Sequence, residues 1–481
     1  PFMAVAKDWL SNLKVRLSYG TSGSDNINSN LWRETWSSLS SSSNHTPING
    51  ELGSFYRPDG LLANSDLKWE TTISRNLGLD FGFLNNRING SLEIYWNTTK
   101  DLLMAVPVDN TTGYSYQFQN FGKTSNRGIE LSLNFDVINK GDFRFNIGAI
   151  YNYNRNKLDE LPNADQYLYS SYWGSSSLVP TNDYMFVEGK AIGLVRGFVS
   201  EGFYTVNDFR YENGQYILKE GIPDITKALT ATYMHPFNIP NGQTAFPGAA
   251  KFRDVNNSGT VDLDDATCLG EVMPRHTGSF QLNFNYKNFD LSSNFNWTAG
   301  GKVYNVAAMI NASGQEFDGI GAQRTSWVAD TYKVYNVNSS GDLYAVTDPN
   351  ELNALNANAK YHLPYHQSGI TSSEWLEDGS YLRLQTLTLG YTLPHTVLNK
   401  IHIEKLRIYL TATNLFTITG YSGIDPEIVD IRTGIDSGRN YPLPTGQSGF
   451  YSNLRVFPTL NMDFGTYPRA RTFTLGANIT F

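Results

Sequence analysis

Along this chain, stretches that alternate apolar and polar residues are joined in strict turn by a short polar connection and then by a very long one. In the last stretch Phe473, Leu475, Ala477, Ile479 and Phe481 fall on one face, and Thr472, Thr474, Asn478 and Thr480 on the other. Successive side chains of an extended strand point to opposite sides, so this is a strand with one greasy face. The pattern recurs at Ile129, Leu131, Leu133, Phe135 and Val137 against Glu130, Ser132, Asn134 and Asp136, and at Phe280, Leu282, Phe284 and Tyr286 against Gln281, Asn283 and Asn285. Weaker copies lie at Leu77 to Phe83, Ile88 to Trp96 and Phe143 to Tyr151, with further candidates at Leu13 to Gly20, Leu291 to Ala299, Leu382 to Leu393 and Leu406 to Phe416. About ten strands are expected in all.

If the strands pair in strict antiparallel order and the last runs from outside to inside, Asn85-Asn86, Asn139-Lys140-Gly141, Lys287-Asn288 and the segment 394–404 share one rim. The other rim then carries 21–72, 98–126, 155–277, 300–380 and 417–470. A soluble β-sandwich has no reason to segregate its loops by length. An outer-membrane barrel does, with short periplasmic turns and long extracellular loops. The reading is all-β: an antiparallel transmembrane β-barrel with large extracellular excursions at 155–277 and 300–380.

Composition agrees. No run of eighteen apolar residues offers a membrane helix, and a negative mean hydropathy of -0.36 is compatible with a barrel whose lumen face is polar. Aromatics make up 14% of residues, and Trp69, Trp96, Trp297 and Tyr391 lie near strand ends, where interfacial girdles belong. A net charge of -8 with no basic cluster argues against nucleic acid as a partner. The single Cys268 excludes an internal disulfide framework and is expected as a packed thiol. Pro1-Phe2-Met3-Ala4 has neither the charge nor the cleavage pattern of a signal peptide. About ten strands left as an open sheet would expose two unpaired edges to hydrocarbon, so more barrel is expected before Pro1.

Several segments, in order along the chain, resemble the SusC/RagA group of TonB-dependent outer-membrane transporters of Bacteroidota. They are Leu13-Lys14-Val15-Arg16-Leu17-Ser18-Tyr19-Gly20, Leu67-Lys68-Trp69-Glu70-Thr71, Asn76-Leu77-Gly78-Leu79-Asp80-Phe81-Gly82-Phe83, Asn126-Arg127-Gly128-Ile129-Glu130-Leu131, Asp378-Gly379-Ser380-Tyr381-Leu382-Arg383-Leu384 and Thr413-Asn414-Leu415-Phe416. The resemblance implies the C-terminal part of a barrel of twenty-two strands, with the plug domain and TonB box absent from this chain. It implies location in the bacterial outer membrane and energised import of oligosaccharides, or of peptides, with a SusD-like surface lipoprotein as lid and the TonB complex as energy source. Aromatic loop residues Tyr167, Tyr169, Tyr172, Trp173, Tyr361 and Tyr365 are the candidates for ligand contact.

The sharpest local motif runs from Asp254 to Asp265 and matches a twelve-residue calcium loop. Asp254, Asn256, Ser258, Asp262 and Asp265 stand at positions 1, 3, 5, 9 and 12, Thr260 would offer its carbonyl, and Gly259 permits the turn at position 6. Calcium is the expected ion and magnesium the alternative; Ser258 and the short Asp265 lower charge or reach, so affinity would be modest. A metal-free polar turn is the competing reading.

No catalytic constellation emerges. The His residues, among them His276, His362, His366, His395 and His402, lack metal-site spacing, and no nucleophile elbow or phosphate-cradling loop is present. Glu93, Glu130 and Asp136 fall on the polar strand face and are expected as solvated wall residues. A passive porin-like channel and a surface glycan-binding β-protein without transport remain as alternatives to the importer.

Overall fold

The computed structural model describes residues 9–24, 31–34, 36–38, 47–48, 51–52, 56–58, 61–114, 116–161, 166–169, 178–230, 235–313, 329–363, 369–398, 403–428 and 460–481. Ten strands form one sheet in which every neighbour is the next strand of that sheet in sequence. They are β1 (Leu10–Ser24), β2 (Glu70–Phe83), β3 (Ile88–Lys100), β4 (Lys123–Lys140), β5 (Phe143–Glu160), β6 (His276–Tyr286), β7 (Phe289–Ala299), β8 (Tyr381–Thr392), β9 (Lys405–Thr419) and β10 (Thr472–Thr480). All pairings are antiparallel. Within this sheet β1 and β10 are the two edges.

The short connections turn sharply. Leu84, Asn85 and Asn86 hold φ between 52° and 60°, Gly141 takes 59° and Lys287 51°, the left-handed values that tight hairpins require. Strands run farther toward the opposite rim than the alternation predicts; β4 begins at Lys123 and β5 ends at Glu160. There polar residues dominate both faces, Leu158 excepted, so the pattern fades while the backbone ladder, which needs only hydrogen bonds, continues.

The registers stack the apolar faces into rows. One row crosses from Val15 through Leu79, Leu92, Leu131, Tyr151, Gly278, Trp297 and Leu382 to Ile418. Many of these side chains are open to the surroundings, with Leu17 80% and Leu475 76% exposed. So large an exposed apolar surface suits a hydrocarbon solvent. Aromatics bracket the band. Phe143, Tyr286, Phe289 and Tyr391 lie toward the short-turn rim, and Trp96, Tyr151, Tyr153 and Trp297 toward the other. Phe289 and Trp297 are eight residues apart on β7, about 27 Å along the strand and about 20 Å along the normal at barrel tilt. One expectation shifts: a β-bulge between Asp136 and Ile138 puts Ile138, not Val137, opposite Phe145 on the apolar face.

The long connections fold on one another. Lys302–Asn305 pairs antiparallel with Leu376–Asp378 and parallel with Met462–Asp463, so two different connections meet in one small sheet. A core of Leu161, Tyr184, Val195, Val272, Tyr304, Met309, Trp375 and Met462 draws on three of them. A second core, including Phe198, Tyr204, Phe246, Phe252, Tyr332 and Ile370, lies within the two largest. Cys268 is free and exposed rather than packed.

Gly278 sits in the apolar row because Trp297 occupies its space. A Cβ there would lie 2.6 Å from the indole and 2.4 Å from the Ile150 carbonyl oxygen. Gly278→Ala is expected to destabilise the folded barrel by about 1–3 kcal/mol, read as a lower melting temperature for the heat-modifiable gel shift. An unchanged transition would show that the row accommodates a methyl group.

Candidate functional site: polar wall and loop cap

The face opposite the apolar band is a connected polar wall. Arg16 donates from Nη2 to Asp80 Oδ1 at 2.7 Å and Glu93 Oε1 at 2.8 Å, and from Nε to Asp80 Oδ2 at 3.0 Å; Asn76 Nδ2 donates to Glu93 Oε2 at 2.7 Å. The guanidinium spans β1 to β3 because the residue beneath it is Gly78, where a Cβ would lie 2.9 Å from Arg16 Cζ. The device recurs. Arg407 on β9 and Asp290 on β7 pair at 2.6 and 2.9 Å across Gly390 of β8. Tyr95 reaches over Gly128 to donate to Asn154 Oδ1 at 3.1 Å. A glycine on the middle strand thus lets a polar side chain cross it. Glu93 is therefore held in a charge-assisted network instead of standing solvated, whereas Glu130 is exposed and Asp136 accepts from Asn146 at 2.9 Å.

Near the long-loop rim the wall grips a connection. Arg383, 2% exposed on the polar face of β8, donates to Asp425 Oδ1 at 2.5 Å, Glu427 Oε2 at 2.8 Å and Thr417 Oγ1 at 3.0 Å. Glu427 also pairs with Arg469 at 2.7 Å. A cavity of about 270 Å³ adjoins this cluster, lined in part by Arg383, Asn414, Thr417, Asp425, Arg469 and Arg471. In the sequence Arg383 stands out only as part of the Asp378-to-Leu384 motif. Its position on the polar side of an alternating strand was readable, but nothing local distinguished Asp425 and Glu427 from other loop acids.

The aromatic candidates separate. Tyr169, 4% exposed, stacks with Tyr184 at 5.5 Å and lies against Phe186 at 4.8 Å. Burial pushes its hydroxyl far above the ordinary tyrosine range, so it stays neutral. Tyr169 therefore packs the cap, a correction to its proposed ligand contact. Tyr361 is half-buried in a bridge with Thr331. Tyr167 pairs with Phe186 through its backbone; its side chain, and Tyr172, Trp173 and Tyr365, lie outside the described residues.

The 254–265 turn winds tightly. Asn257 and Gly259 take φ of 58° and 87°. Asp254 accepts from Ser258 N at 3.1 Å and Gly259 N at 2.7 Å, Asn256 Oδ1 also accepts from Ser258 N at 2.9 Å, and Ser258 Oγ donates to the Thr260 carbonyl at 2.8 Å. Asp262 accepts from Asp264 N at 2.9 Å. Asp265, 1% exposed, spends one oxygen on Val255 N and Asn256 N and the other on Asp262 N. Among the described residues no group of three or more His, Cys, Asp or Glu is arranged to hold a metal.

The comparisons with known proteins fit this geometry. The family model described as "TonB dependent receptor-like, beta-barrel" matches residues 5–415. The chain belongs to this TonB-dependent receptor β-barrel family. It is 28% identical over 98% of its length to TonB-dependent receptor P3 of Formosa agariphila, covering 40% of that protein. It is 26% identical over 98% of its length to TonB-dependent receptor SusC of Bacteroides thetaiotaomicron, covering 38%. The solved RagAB peptide transporter matches 98% of the chain and 41% of its own at 21% identity, with a TM-score of 0.63, a likeness of fold. The chain thus spans about two fifths of these relatives, and its place is the outer membrane. An open sheet fits part of a TonB-dependent receptor barrel.

In the full receptor, Arg383→Met would leave Asp425 buried without its cation, a loss of about 3–5 kcal/mol. Faster amide exchange across 421–428 is expected, partly reversed by adding Asp425→Asn. Unaltered exchange would mean that other contacts hold this connection.

Proposed function

We propose that this chain is the barrel portion of a SusC-like importer that takes up oligosaccharides across the outer membrane, with peptides as the alternative cargo. In this reading a SusD-like surface lipoprotein closes over the loop cap, and the TonB complex supplies energy through a region outside this chain. The observation that carries it is the cap itself. Three long connections share a core of buried aromatics and aliphatics, and Arg383 ties one of them to the polar wall. A passive channel has no need to build its outer loops into a rigid body, whereas a receptor that must enclose a ligand does. Relatives named TonB-dependent receptor SusC and a fold neighbour titled a peptide transporter support import and leave two ligand classes in view. The polar wall, with bidentate Arg16 and Arg407, offers hydrogen-bonding surface for either.

Deleting the gene is expected to abolish uptake of a labelled oligosaccharide, and a protonophore should do the same to wild-type cells. The tagged full-length receptor should retain a surface lipoprotein in mild detergent. Uptake that survives de-energisation would favour the passive channel; loss of peptide uptake alone would reassign the cargo.

A divalent cation in the 254–265 turn belongs to the same proposal. Asp254, Asn256, Ser258, the Thr260 carbonyl, Asp262 and Asp265 would hold it; Asp254 and Asp265 also accept from backbone N–H groups and so close the turn around the ion. Calcium, or magnesium in its place, would brace the surface turn and supply no catalysis. EDTA and Asp254→Asn are each expected to open the turn to protease in the full receptor, with calcium reversing the EDTA effect only. Asp265→Asn should loosen it whether or not calcium is added. Protection unchanged by EDTA would assign the turn to hydrogen bonding alone.

A further inference from the structure

The outer face of β2 to β5 carries a feature that neither the barrel nor import requires. Arg127 on β4 and Arg155 on β5 are direct cross-strand partners, and both are exposed. They lie on the same face as Ile129, one alternation step closer to the long-loop rim. Like charges placed directly opposite in a sheet repel, with Cα atoms only about 5 Å apart. Among the described residues neither guanidinium has a carboxylate partner.

More cations share this face. Trp96 of β3 pairs with Arg127, and the register brings Arg75 of β2, opposite Tyr19 of β1, to the same height. Lys157 stands opposite Ser125 one step higher, and Lys123 opposite Lys100 one step beyond that. Lys123 and Lys157 are paired with Glu160 at 2.8 Å and Asp159 at 3.3 Å; Arg75, Lys100, Arg127 and Arg155 have no carboxylate partner among the described residues. On β6 to β9 the long-loop ends are His276, Ala299, Tyr381 and Thr419, so the belt does not continue onto those four strands.

Its height identifies its surroundings. The neighbouring row toward the short-turn rim, Leu77, Ile94 and Ile129, is apolar and exposed, and Trp96 stands within the belt. Arginine on the lipid face is tolerated at the membrane interface and costly at its midplane, so the belt marks the interface on the long-loop side. At that level an anion with several acceptor oxygens would bridge Arg127 and Arg155 in fork geometry and turn their repulsion into attraction. We propose that the β2 to β5 quadrant docks phosphate-bearing lipid headgroups of the outer leaflet. The chemistry that fits is a phosphate monoester or diester oxygen set held between the two guanidiniums, with Trp96 at the level where headgroup meets acyl chain. Arg127 and Arg155 lie on interior strands of the sheet, away from its β1 and β10 edges, on the face that carries the apolar band.

The test uses the full-length receptor, extracted from outer membranes in mild detergent and reloaded from vesicles of phosphatidylcholine with or without a bis-phosphorylated glycolipid. Retained lipid is counted by mass spectrometry. Arg127→Gln with Arg155→Gln is expected to weaken retention about tenfold or more, while Arg127→Lys with Arg155→Lys keeps most of it. Retention by the wild type should fall as salt rises, an arm that holds even if the Gln pair assembles poorly. Equal retention by wild type and the Gln pair, or no salt dependence, would overturn the proposal. Displacement by inorganic phosphate at millimolar concentration would overturn the lipid assignment in favour of a free-anion site.

Discussion

Hydrocarbon offers no hydrogen bonds, so each backbone N–H and C=O in the spanning region must find its partner on a neighbouring strand. The uninterrupted antiparallel order of the ten strands is the direct expression of that constraint. It also explains why the apolar residues point outward: with the backbone satisfied, lipid accepts the side chains that water would drive inward. The inner face is then free to be polar, and here bonded networks around Arg16 and Arg407 occupy part of it.

The polar wall and the loop cap use different physics. On the wall, Gly78, Gly128 and Gly390 remove a side chain from a middle strand so that Arg16, Tyr95 and the Arg407–Asp290 pair can reach across it. Charge-assisted bonds of fixed geometry then stiffen the sheet from inside. In the cap, stability comes from water-driven burial: Tyr184, Tyr304 and Trp375 are enclosed by connections distant in sequence. Arg383 joins the two regimes, since its backbone belongs to β8 and its bonds to Asp425 and Glu427 belong to the cap. The outer rim adds a third surface, where Arg127 and Arg155 stand side by side at the level of headgroups.

Much of this was legible. All ten strands, the segregation of short from long connections and the assignment of Glu93 to the polar face follow from a period of two. The errors have definite causes. Val137 yields the apolar face to Ile138 because a bulge inserts one residue, which alternation cannot register. Tyr169 looked like a ligand contact because composition cannot tell a stacking surface from a packed one; Tyr184 and Phe186, its actual neighbours, lie on the next strand. Spacing also placed Asp265 in the turn without revealing that its carboxylate accepts from three backbone donors on both sides of it.

The sequence by itself determined the sheet: alternating side chains decide which face meets lipid, turn residues decide where each hairpin closes, and both are local properties of an extended chain. Only the tertiary structure decided what the long connections do. Their cores, the Arg383 cluster and the crossing of glycine saddles join residues far apart in sequence. Such contacts depend on which surfaces meet after the barrel strands have set their anchors, and no periodicity encodes that meeting.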